Sequence, residues 1–143
     1  MSWIVWALLG ALATAGTAIL TKIGLERVDS TLALAIQSVV IVILAWCVVG
    51  YSGQATRLLD IPAKAWPFLL AAGVMTTVAY LCYFRALSLG DASRVSPIDR
   101  LSLVFAIVLG AMFLREKLTP WTIAGGITMA LGAVVIAMSP GGK

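Results

Sequence analysis

From Ile98 to Leu114 the chain is almost wholly apolar, interrupted mainly by Asp99, Arg100 and Ser102. A helix from Ser96 to Leu114 would come close to the roughly 30 Å of a bilayer core. It would open on an acid and a base, which is unusual in a soluble core. Ser96 stands three residues before Asp99, with Pro97 between them. That spacing predicts a helix start at Ser96: the serine oxygen accepts a backbone N–H, proline takes the first helical position, and the acid favours the positive end of the dipole. We read the stretch as a transmembrane helix with a polar, functional mouth.

The rest of the chain can only follow it into the membrane. Of 143 residues, 62% are hydrophobic and 11% charged, and the mean hydropathy is +1.06. A water-facing domain carries roughly 25% charged residues, so this chain could not clothe a soluble surface. The expected fold class is an all-α integral membrane protein, a single domain of five transmembrane helices. The net charge of +4 comes from scattered Lys and Arg. Without a long basic run to follow a nucleic-acid backbone, these read as topology signals.

Histidine is absent, which removes imidazole metal sites and Ser-His or Cys-His catalysis. No Walker, zincin or Gly-x-Ser-x-Gly pattern occurs, so neither an enzyme nor a cofactor is expected. Cys47 and Cys82 lie inside apolar runs without Cys-x-x-Cys spacing and read as small packing residues. The opening MSWIVWALLG lacks the basic start of a signal peptide and reads as a retained first span.

Spans are expected at about 3–25, 32–49, 66–89, 96–114 and 120–138. On the first, Thr14, Thr17 and Thr21 share a helix face with Gly10, which suits close packing or a polar cavity. Lys22 can snorkel at its end. Asp29 or Ser30 can cap the second span, where Gln37 needs a partner for its amide and an interhelical hydrogen bond is the expectation. Gly50 to Lys64 is an interfacial connection. On the third span Thr76, Tyr80, Tyr83 and Leu87 line one face, and mid-membrane tyrosine hydroxyls need partners or a water-filled space. Arg85 lies one turn inside its end. Ala106 with Gly110, and Gly126 with Ala130, form small-xxx-small pairs for close helix contact, the latter also suited to a contact between subunits. Thr119 and Pro120 predict the start of the fifth span, and Ser139 to Lys143 a short frayed tail.

The stretch AYLCYFRALSLGDASRVSPIDRLSLVFAIVLGAMFLREKLTPWTIAGGITMALGAVVIA resembles EamA-type domains of the drug/metabolite transporter superfamily. The resemblance lies in the Arg85-Ala86-Leu87 helix end, the Gly90-Asp91-Ala92-Ser93 turn, and Ser96-Pro97-Ile98-Asp99-Arg100-Leu101-Ser102. The Leu114-Arg115-Glu116 exit and the Gly-rich final helix complete it. It covers roughly half of the chain; the first two spans match only in hydrophobic character. The Ser-Pro-Ile-Asp-Arg wording is similar to the short, single-domain bacterial and archaeal branch.

The resemblance implies one half of an inverted-repeat transporter fold in the cell (inner) membrane. It implies a secondary-active carrier of small metabolites or drug-like solutes, working by alternating access. Most of the family carry two such domains, so a single one implies a homodimer. A non-transporting scaffold or helper subunit is the alternative. Candidate substrate-binding or gating residues are Arg85, Asp99 and Arg100 at the charged mouth, with Thr14, Thr17, Thr76, Tyr80 and Tyr83 around a cavity between spans one, three and four. A pairing of Arg85 or Arg100 with Asp99 and a capping Asp99 beside two snorkelling arginines are both open. Zwitterions, anions and aromatic cations all suit such a set.

Five spans put the two ends of the chain on opposite sides. Arg57, Lys64, Arg115 and Lys117 then lie on one side, and Lys22, Arg27, Arg85, Arg94, Arg100 and Lys143 on the other. Setting aside Arg85 and Arg100 within helix ends leaves the sides even. A balanced chain is expected to insert both ways or to prefer one only weakly, so that two copies oppose each other in an antiparallel dimer with the Gly-rich face of the fifth span as the contact. A parallel dimer and a partnership with a different subunit are the rivals.

Overall fold

A computed structural model describes residues 2–114 and 117–139. Arg115 and Glu116 of the expected exit, and tail residues 140–143, lie outside the described residues. The elements are α1 (Ser2–Gly24), α2 (Ser30–Tyr51), α3 (Trp66–Leu89), α4 (Ala92–Asp99), α5 (Leu101–Phe113) and α6 (Pro120–Met138). Short 3-10 turns occupy Gln54–Asp60 and Ala63–Ala65. Among the described residues the protein is all-helical, with five helical stretches long and apolar enough to cross a membrane, α4 and α5 together forming the fourth. Helices are what the hydrocarbon demands, since each N–H and C=O must be satisfied within its own segment.

The chain divides into two compact units, Leu20–Ser88 and the remainder on either side of it. Within Leu20–Ser88, Phe84, Leu87, Leu34, Thr21 and Ser30 are buried. Tyr80 and Tyr83 both meet the Phe84 ring edge-on, with centroids 6.2 and 6.3 Å away. Polar groups in this apolar setting find partners on other helices. The Gln37 amide donates to the Thr21 hydroxyl at 2.8 Å, the interhelical bond its position calls for. The Lys22 ammonium donates to the Leu87 carbonyl at 2.7 Å. That carbonyl is among the last four of α3, which the helix itself leaves unpaired.

Asp29 caps α2, its carboxylate accepting from the Thr31 N–H at 2.8 Å. This bond holds the carboxyl below its ordinary value; desolvation works the other way, while the Leu32 N–H, the Thr31 hydroxyl and the Arg85 charge add to the lowering. After α2 the chain turns through Gly53, whose φ of 66° is left-handed and favours glycine. Cys47 and Cys82 are exposed thiols on α2 and α3 rather than packed ones. Their neighbours on those helices are large exposed hydrophobics, a surface on which a small apolar thiol is no exception.

In the other unit, α6 packs against both α4 and α5. Its start is the expected one: Thr119 accepts from the Thr122 N–H at 3.2 Å, and Pro120 follows as first helical residue. Gly126 is buried, and a Cβ there would meet Ile107 Cδ1 of α5 at 3.6 Å. The close approach at Gly126 is thus made inside the chain. Arg94 of α4 donates to the Ala137 carbonyl at 2.7 Å, near the end of α6.

The start of the fourth span differs from the sequence expectation. The helix begins after Asp91, whose carbonyl accepts from the Arg94 and Val95 N–H groups at 3.0 and 2.9 Å. Ser96 and Pro97 therefore sit inside α4, and Ser96 is no cap. Pro97 has no N–H to return to the Ser93 carbonyl one turn earlier, and the helix yields shortly afterwards at Arg100. A Ser-Pro pair reads as a helix start in isolation; here the preceding turn is already wound, and the proline marks a break instead.

Candidate functional site

The unit containing α4, α5 and α6 carries an open cavity of about 720 Å³ on its surface. Faces of α1, α4 and α6, each repeating at the helical period, build most of it, and Leu103 of α5 completes it. From α1 come Ala11, Thr14, Ala15 and Ala18; from α4 and the break, Ser93, Ser96, Pro97 and Arg100. From α6 come Met129, Gly132, Ala133 and Ile136. Small side chains on α1 and α6 leave the space open. Hydroxyls and one guanidinium face it from the α4 side.

The polar groups differ in what they can offer. Thr14 donates its hydroxyl to the Gly10 carbonyl at 2.8 Å, so towards the cavity it can only accept. Arg100 is the charged side chain in the lining, and no carboxylate joins it there among the described residues. Asp99, its neighbour in sequence and like it exposed, ends α4 without lining the space.

Over residues 1–138 the chain matches the EamA-like transporter family. The chain belongs to that family. A Sinorhizobium sp. protein named "Uncharacterized transporter in cobO 3'region" is 41% identical over 137 residues, covering 96% of this chain and 97% of that one. No solved structure matches. An EamA-like chain with five membrane-crossing helices is a multi-pass membrane protein of a transporter family.

Among the residues singled out from sequence in this EamA-like protein, Thr14 and Arg100 come together at the cavity. Thr17 lies on the same helix but outside the lining, its hydroxyl turned back to the Ala13 carbonyl at 3.0 Å. Thr76, Tyr80, Tyr83 and Arg85 belong to the unit Leu20–Ser88. There Thr76 donates to the Ala72 carbonyl at 2.8 Å, and the carboxylate that feels the Arg85 charge is Asp29. Sequence reasoning missed Ser93 as a lining residue and took Ser96 for a cap. The signal was available in the spacing of Ser93, Ser96, Pro97 and Arg100 at i, i+3, i+4 and i+7, once the helix is known to begin at Ala92.

Proposed function

We propose that this EamA-like protein is a secondary carrier of small metabolites or drug-like solutes in the cell membrane, working by alternating access as a dimer. The observation that carries the reading is the cavity of about 720 Å³ among membrane-crossing helices, within the range of roughly 300–1,000 Å³ common for small-molecule sites. In this reading Thr14 and Arg100 contact the solute. Asp99 gates beside Arg100 at the mouth and Thr17 lies along the path, while Thr76, Tyr80, Tyr83 and Arg85 act within their own unit, Leu20–Ser88. Two copies inserted in opposite senses supply the inverted pair of halves.

Counterflow in proteoliposomes made from the purified protein tests carriage: labelled solute should accumulate against unlabelled solute trapped inside. A non-transporting helper subunit would give none. Reporters fused to the C-terminus should be active on both sides of the membrane, and signal from one side alone would remove the opposed dimer.

A further inference from the structure

We infer that the cavity selects amphipathic organic anions, with a carboxylate-like headgroup at Arg100 and an apolar body against α1 and α6. The inference rests on the carrier reading above and narrows its substrate.

Charge decides the class. Arg100 is the charged group of the lining, and among the described residues no acid stands there to receive an ammonium. A cation would find no counter-charge in the lining and would meet the like charge of the guanidinium. An anion meets a planar guanidinium whose two parallel N–H groups match a carboxylate. Ser93 and Ser96 share the helix face of Arg100, so their hydroxyls lie on the wall where a headgroup would bind. Thr14 has already given its proton to Gly10, which makes the α1 wall a poor donor surface for an anion. The rest of the lining, with Ala15, Ala18, Leu103, Met129, Gly132 and Ile136 in it, is apolar. It suits a flat hydrocarbon or aromatic body, with Met129 able to adapt to its outline.

Three indole compounds of matched size isolate the headgroup: indole-3-acetate, tryptamine and the neutral alcohol tryptophol. Binding of radiolabelled indole-3-acetate is measured on the whole protein in phosphatidylcholine nanodiscs. Saturable binding is expected, displaced weakly by tryptophol and not by tryptamine. Arg100→Gln should weaken it by about tenfold or more, as loss of a charge-assisted hydrogen-bonded pair implies. Arg100→Lys should restore part of it, and Arg57→Gln, an exposed cation outside the lining, should leave it unchanged.

Absence of saturable binding, displacement by tryptamine as strong as by the acid, or indifference to Arg100→Gln would each overturn the proposal. Should Arg100→Gln fail to fold, the double change Ser93→Ala with Ser96→Ala takes its place, with a loss of a few-fold expected and no loss counting against the site. In nanodiscs containing phosphatidylglycerol, abolition of acid binding would make a lipid headgroup the occupant and overturn the solute assignment. Counterflow separates the two levels. Selective acid binding without counterflow sinks the carrier reading and keeps the anion site; counterflow of tryptamine without acid binding does the reverse.

Discussion

The Gln37 side-chain amide reaches from α2 to the Thr21 hydroxyl of α1 and donates across 2.8 Å. Thr21 is 2% exposed, so the acceptor is shut away from water. The two partners are not equivalent. If Gln37→Leu removes the donor, the Thr21 hydroxyl can turn back to a carbonyl of its own helix, as Thr14 and Thr17 do. If Thr21→Val removes the acceptor, the amide keeps a stranded N–H. We therefore expect Thr21→Val to cost about 1–2 kcal/mol and Gln37→Leu distinctly less, with the double variant cheaper than the sum. Unfolding of each variant in mixed micelles measures this; equal costs would remove the proposed asymmetry.

Lys22 gives a second expectation. Its ammonium satisfies the Leu87 carbonyl at 2.7 Å, one of the groups that the end of α3 cannot pair itself. Lys22→Met keeps the apolar stem and loses the donor. Destabilisation of about 1.5–3 kcal/mol is expected, together with faster hydrogen exchange in the last turn of α3. Exchange confined to α1 would show that the lysine acts elsewhere.

Acid should loosen α2 through Asp29. Its folded pKa lies below the ordinary carboxylate value, chiefly because the Thr31 N–H binds the charged form. A group lowered in this way contributes stability that is fully present above the unfolded pKa and lost as pH falls through the folded one. The melting temperature should thus drop on the acid side of the usual aspartate range. Asp29→Asn retains a capping oxygen and should flatten that limb while lowering stability at neutral pH. An unchanged acid limb in the variant would assign the drop to other carboxylates.

Gly126 separates tight packing from simple helix propensity. An alanine Cβ there would rest at 3.6 Å from Ile107, an ordinary contact. Gly126→Ala should be neutral or stabilising by up to about 1 kcal/mol, because glycine is the weaker helix former. Gly126→Leu has no such room and should force α5 and α6 apart, lowering the melting temperature. A tolerated leucine would mean that this contact yields easily.

Span count and helix caps were legible in the sequence because they are local. Apolar runs of sufficient length have one solution in hydrocarbon, and Asp29 and Thr119 sit where their oxygens reach the next turn whatever surrounds them. Gln37 was legible in part: an amide in a span must bond, although nothing in the sequence says to which helix. The start of the fourth span was misleading for a local reason, since Ser-Pro-Ile-Asp fits a helix beginning and a helix interior with a break equally well.

By itself, then, the sequence determined a membrane-crossing, all-helical chain of a transporter family, because hydrocarbon solvates no backbone and composition settles which runs must enter it. Tertiary structure alone decided that Arg100 faces a cavity and Asp99 does not. Adjacent residues on a helix point about 100° apart, so which of the two meets the cavity depends on how α4 is rotated about its axis. That rotation is set by the packing of α6 against α4 and by the hold of Arg94 on the Ala137 carbonyl, contacts between segments far apart in the chain.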